Sequence, residues 1–207
     1  MSFDSWLAFM AIWILASIPL GPNALFCISA TASHGFRRGV WTVVGLFIAS
    51  STHLLLAISG IAAFLAANPA VFELLRWLGV GYLAWMGIGM LRSRGRVGAL
   101  RATGTGSPLQ LIRRSVMISL SNPKAIFAWM AVFTQFVDPA IPLGPQLAIL
   151  APSALAVTVV VYLGYCGLGQ GLYRVITGRG KLWFDRMTGT TYLLFALGLA
   201  IADARRG

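Results

Sequence analysis

The sequence predicts an all-α membrane protein: six transmembrane helices forming two inverted three-helix repeats, each opening with a broken helix. Three observations predict it. Of 207 residues, 58% are hydrophobic and only 10% charged, with a mean hydropathy of +0.81; a soluble domain is nearer half apolar and a quarter charged. The apolar residues gather into six runs, several of them longer than the roughly 18 residues that mark a spanning helix. Finally, one helix-breaking motif occurs twice. Gly21-Pro22-Asn23-Ala24-Leu25-Phe26 aligns with Asn122-Pro123-Lys124-Ala125-Ile126-Phe127 at an offset of 101.

Run one spans about Trp6 to Ala32 and is interrupted by Pro19, Gly21 and Pro22. Proline lacks a backbone N–H, so it breaks a helix or starts one. Run two spans about Val40 to Ala66, and Asn68-Pro69 gives the turn that ends it. Run three spans about Phe72 to Leu91. The stretch Arg92 to Arg114 holds six arginines and reads as the polar border between halves. Run four spans Ser115 to Val137, with Lys124 at its mouth, followed by a proline-rich loop from Asp138. Run five spans about Gln146 to Tyr173 and run six about Met187 to Ala202. The chain thus reads as a single transmembrane domain over 1–207. Repeat one covers about 5–92, a cytoplasmic basic loop 93–114, and repeat two about 115–203. In runs three and six, Gly79-x-x-Tyr82-Leu83 matches Gly189-x-x-Tyr192-Leu193 at an offset of 110. That match requires about nine extra residues in the second half, which the loop after Asp138 can supply.

The net charge of +11 does not point to nucleic acid. Its basic residues lie between apolar runs, without the aromatic or motif context of base recognition. Lipid contact and topology explain them instead. Twelve of the sixteen Lys and Arg fall on the side of the first, third and fifth loops, and three on the other. Basic loops stay in the cytoplasm, so both termini are expected outside.

Three helices per half is an odd number, so the halves insert in opposite orientations. Inverted repeats with helices broken at matching positions point to a secondary transporter. Unpaired backbone groups at a break are tolerated inside a membrane only when buried in protein or facing a wet cavity. The exposed N-terminus of a half-helix attracts an anion such as a carboxylate, and Lys124 adds a full positive charge near one. A lysine beside hydrocarbon is costly and marks a pathway or binding site, although snorkelling to the headgroups explains it too. The candidate substrate-binding or gating residues are therefore Gly21, Pro22, Asn23, Asn122, Pro123 and Lys124. Ser50, His53 and Gln135 are candidates for a proton or polar pathway. His53 titrates near neutral pH, and the plainer reading is a neutral ring hydrogen-bonded within the bundle. Tyr162, Tyr165 and Gln170 can line a cavity, and the tyrosines can equally anchor at an interface. Gly164, Gly167, Gly169 and Gly171 read as close-packing positions, and the tryptophans as lipid-facing or interfacial.

These residues carry a resemblance. Gly21-Pro22-Asn23, the basic turn with Gly35 and Gly39, Gly45, Asn68-Pro69 before Gly79-x-x-Tyr82-Leu83, Asn122-Pro123-Lys124-Ala125 and Gln135-Phe136-Val137 together resemble the LysE/RhtB family of amino-acid exporters. The resemblance implies a six-helix inner-membrane protein that expels amino acids or derivatives, driven by the proton gradient. It implies a small amino-acid substrate, a lipid bilayer around the protein and no cofactor; a homo-oligomer is compatible with it. The chain departs from the family's pattern at Leu20, where Pro-Gly-Pro is usual, and at Thr134. Ser50 stands where members often carry an acid, so no carboxylate lies deep in any run.

Two other readings compete with this one. A membrane thiol-redox relay of the same broad architecture needs cysteines at equivalent repeat positions. The counterpart of Cys27 is Ala128, not Cys166, and both cysteines read as small apolar packing residues. A metal-ion exporter needs several oxygen ligands, and the apolar runs offer no carboxylates. No enzymatic constellation and no metal site are expected.

Overall fold

The computed structural model describes residues 1–18, 20–67, 69–92, 106–176 and 180–204. Among these it is all-helical, with eight helices and no strand. They are α1 (Phe3–Ser17), α2 (Pro22–His34), α3 (Phe36–Ala67), α4 (Pro69–Leu91), α5 (Pro108–Leu120), α6 (Pro123–Phe136), α7 (Leu143–Ile176) and α8 (Gly180–Ala204). Two stretches, Phe36–Ala63 and Leu143–Gly169, are long and apolar enough to cross a membrane. Each of the pairs α1/α2 and α5/α6 qualifies as one broken span, bent by 62° and 63°, which raises the number to four. Leu55, Trp85, Val160 and Leu194 stand 65–68% exposed on the outside of the bundle. A surface of that kind suits lipid rather than water, and the protein is a multi-pass membrane protein.

Both breaks follow from local sequence. Gly21 caps α2 in an extended conformation, and Pro22 takes the first turn, where its missing N–H costs nothing. At the second break Pro123 starts α6 directly after Asn122, with Ala125 N donating to Asn122 O at 3.0 Å. The last carbonyls of α1 are freed by the break and would be orphaned in a membrane. Tyr192 Oη donates to Ala16 O at 3.1 Å, Tyr165 Oη donates to Ile18 O, and Ser17 Oγ donates to Trp13 O at 2.7 Å. Tyr165 is thus a cap for the broken helix, not a membrane-interface anchor.

Several boundaries differ from the sequence expectation. Helix α5 starts at Pro108, capped by Ser107, so Arg113 and Arg114 lie on a helix rather than in a loop. Its apolar side, with Leu111 buried, pulls this polar stretch onto the bundle. Residues 93–105, the rest of the expected basic loop, lie outside the described residues, as does Pro19. Just before α5, Gly106 takes a φ of +64° and packs against the His34 ring, where an added Cβ would fall 2.7 Å from ring atoms. The loop after Asp138 is closed by Gln146, whose side chain accepts from Asp138 N and donates to Asp138 O and Ile141 O.

The largest buried cluster joins Phe9 and Trp13 of α1 to Trp129 and Phe133 of α6, backed by Leu54, Ala57 and Ile61 of α3 and Leu150 and Ala154 of α7. Elsewhere small residues let helices meet. Gly45 on α3 touches the α5 backbone, with a hypothetical Cβ 2.5 Å from Ile112 O. Gly87 on α4 and Gly189 on α8 face each other reciprocally: a Cβ on either would strike the other's carbonyl and the leucine four residues beyond it, Leu193 or Leu91. Gly79 packs on Ala131 of α6. The Gly87–Gly189 offset is 102, close to that of the two breaks.

Candidate functional site

The two breaks meet at one cavity. Gly21 and Asn23 line it from the first break, and Asn122 and Ala125 from the second. Ser50 of α3 and Thr158 and Tyr162 of α7 close its sides. Its volume is about 60 Å³. One water needs roughly 10–15 Å³ of such space, so the cavity suits a few waters and must widen for a larger guest.

The wall is polar without being acidic. Asn23 Nδ2 donates to Ser119 Oγ at 3.1 Å, while Asn23 Oδ1 is buried with no hydrogen-bond partner. A buried carbonyl oxygen left this way costs about 1–3 kcal/mol unless a water or guest satisfies it. Tyr162 stands beside Asn23. Among the described residues no Asp or Glu lines the cavity. Such a site offers amide, hydroxyl and half-helix N-terminal groups, which can hold a zwitterion by hydrogen bonds and by the α2 and α6 N-termini.

The structure brings Gly21, Asn23, Ser50 and Asn122 together. Pro22 and Pro123 begin the half-helices whose N-termini bound the site. The backbone of Lys124 lies in the first turn of α6, but its side chain, like that of Pro123, lies outside the described residues. His53 does not line the cavity. It sits one turn along α3 from Ser50, 2% exposed, with neither ring nitrogen hydrogen-bonded, so the expected hydrogen-bonded histidine is not what is found. Gln135 is buried near the far end of α6, outside the cavity lining. Ser51 and Thr52 bond back to Phe47 O and Ile48 O, as helical hydroxyls in lipid do.

Sequence reasoning missed part of the site. Trp13 and Trp129 are not lipid-facing: they are 3% and 4% exposed and line the cavity. Trp13 Nε1 donates to Ala154 O at 2.9 Å, which settles the indole in the interior. Ser17 and Ser119 also line it. Their signal was readable: Trp13 and Ser17, like Ser115 and Ser119, are polar-capable residues four apart on one helix face. Of the glycines on α7, Gly169 makes a close contact, whereas Gly164 and Gly167 have open space beside them. Cys27 and Cys166 are both fully buried, and both lie against Thr42.

Comparisons with known proteins show the family. A family model described as LysE type translocator matches residues 14–203. The chain is 30% identical over 206 residues to a homoserine/homoserine lactone efflux protein of Salmonella typhimurium, covering 99% of each chain. It is 32% identical over 204 residues to a leucine efflux protein of Salmonella choleraesuis, covering 94% of this chain and 93% of the relative. It is 31% identical over 205 residues to an uncharacterized membrane protein of Vibrio cholerae, covering 99% and 100%. No solved structure gives a significant match.

Proposed function

The chain belongs to the LysE type translocator family, and from that premise we propose that it exports amino acids or small amino-acid derivatives across the bacterial inner membrane. The observation that carries this reading is the polar cavity where the two broken helices meet. Relatives named for efflux of homoserine, homoserine lactone and leucine support the substrate class. The lack of a carboxylate on the described wall favours neutral substrates over lysine or arginine.

Transport follows an alternating-access cycle between two inverted halves. Helices α1–α4 form one half and α5–α8 the other, each bent pair counting as one of three spans. The reciprocal Gly87–Gly189 contact supports a two-fold relation, since an isologous contact pairs each residue with its own counterpart. So do the helix neighbours: α1 packs on α7 as α5 packs on α3, and α2 on α7 as α6 on α3. The asymmetry of basic residues sets both termini outside. A reporter fused at Arg101 is expected to be cytoplasmic, and access from outside contradicts this orientation.

The substrate carboxylate binds at the α2 and α6 N-termini with Lys124 as its counter-charge, and Asn23 and Asn122 take its amine and carboxylate. Coupling to protons runs through His53 and Ser50, with Gln135 on the polar route. His53 is a buried titratable group without a hydrogen-bond partner. The test is transport in proteoliposomes against an amino-acid panel, with and without an imposed pH gradient. Leucine or homoserine is expected to move, faster with the gradient. Selective movement of lysine or arginine contradicts the substrate class, and rates indifferent to pH contradict the coupling. Loss of gradient dependence in His53→Gln, with downhill transport retained, is expected if His53 carries the proton.

A further inference from the structure

One seam of the bundle is not used by the transport reading. Helices α2 and α7 lie side by side from the cavity outward. On α2, Asn23, Cys27 and Thr31 recur every fourth residue and share a face. On α7, Tyr162, Cys166 and Gly169 form the matching stripe. Asn23 and Tyr162 both line the cavity, Cys27 and Cys166 both lie against Thr42 one turn further, and Thr31 lies against Gly169 one turn beyond that. Helix α3 closes the third side. Thr42 Oγ1 donates to Cys27 Sγ at 3.1 Å and to Gly39 O at 2.6 Å, and lies 3.9 Å from Cys166 Sγ. Both thiols are fully buried and neither is in a disulfide.

Leu20, Ile28, Val43, Leu46 and Tyr165 pack around the two thiols, and the outer end of the seam is a close fit of small residues. Thr31 is held between two glycines: a Cβ on Gly39 would fall 2.0 Å from its hydroxyl, and one on Gly169 2.6 Å from its methyl. Its hydroxyl is buried without a hydrogen-bond partner. A dry, unpartnered hydroxyl is unfavourable, and water entering an opened seam would satisfy it. The same opening would wet the two thiols, which are inert while buried.

We propose that Cys27 and Cys166 form a redox latch on the α2–α7 seam, a dithiol that a peroxide converts to a disulfide holding the seam shut and stopping transport. The proposal rests on the exporter reading of the cavity. In the step, two S–H bonds break and one S–S bond forms. The two electrons and two protons pass to one hydrogen peroxide, which is reduced to two waters. One thiolate attacks the peroxide to give a sulfenic acid and water, and the second thiol displaces the second water. Ala128 occupies the position equivalent to Cys27 in the other half, so the latch acts on one seam only.

The experiment uses the full chain in proteoliposomes, with leucine and homoserine as probes and three treatments: dithiothreitol, hydrogen peroxide, and peroxide followed by dithiothreitol. Peroxide is expected to slow wild-type efflux at least about tenfold, with the intact mass falling by two hydrogens, and dithiothreitol to restore both. Cys27→Ala and Cys166→Ser are each expected to transport normally and to ignore peroxide; either variant alone suffices if the other does not fold. A disulfide that forms without slowing efflux overturns the latch and leaves the exporter standing. So does a transporting wild type that forms no disulfide, or inhibition that persists in a single-cysteine variant. If the reduced protein moves neither probe, the exporter reading fails and the latch with it.

Discussion

The cavity is closed on its two sides by different chemistry. Beyond Trp13 and Ala128 lie aromatic rings: Trp13 and Trp129 meet at 4.4 Å, Trp129 and Phe133 at 5.4 Å, and Phe9 and Phe133 edge-on at 5.6 Å. Beyond Asn23 and Tyr162 lie Cys27 and Cys166, packed with Leu20, Ile28, Val43, Leu46 and Tyr165, and at the outer end Thr31 held between two glycines. Rings bury large areas and gain a further 0.5–1.5 kcal/mol or so per well-placed pair. The aliphatic side chains of the seam gain by burial without that ring pairing, and the small residues at its outer end add close approach. The contrast teaches that both closures are held by burial: the ring side adds aromatic pairing, the seam adds a close fit at its outer end.

The comparison can be broken by single substitutions, the largest effect first. Trp13→Ala removes a buried ring with contacts to Phe9, Trp129 and Phe133 and a hydrogen bond to Ala154. It is expected to cost about 3–5 kcal/mol, read as a lowered melting temperature in detergent; an unchanged melt contradicts a burial-held closure. Gly39→Ala overfills the seam and is expected to cost about 1–3 kcal/mol. Thr31→Ala in the same chain should recover most of that, because the atom struck is the Thr31 hydroxyl; without recovery, the clash lies elsewhere. Asn23→Ala loses the bond to Ser119 and is expected to cost about 1 kcal/mol while cutting efflux far more, which separates substrate contact from structural support. Thr31→Val keeps the shape and deletes the unpartnered hydroxyl. A gain of up to about 1 kcal/mol is expected, and a loss would mean the hydroxyl is satisfied in the closed state.

What the sequence revealed follows the range of the forces involved. The two breaks were legible because Gly21-Pro22 and Asn122-Pro123 act on the backbone locally. Four cavity-lining residues, Gly21, Asn23, Ser50 and Asn122, were legible through those breaks and through polarity in an apolar run. The start of α5 was not, since Arg113 and Arg114 read as loop until Leu111 has a bundle to pack on. Trp13 and Trp129 were misread because an indole ordinarily seeks the membrane interface, and only the Ala154 carbonyl on a distant helix reverses that. The α4–α8 contact between Gly87 and Gly189 was not legible, because two glycines in apolar helices carry no mark of which neighbour they will meet. Cys27 of α2 and Cys166 of α7 come together at Thr42 of α3, and no local pattern encodes that.

The most direct measurement fills the cavity. Ala128 lines it between the two breaks, and Ala128→Trp would occupy the space with an indole. With normal membrane insertion and an unaltered helical spectrum, leucine and homoserine efflux from proteoliposomes is predicted to vanish. Efflux at the wild-type rate through a protein so plugged would show that the solute takes another route, and the account would be wrong at its centre.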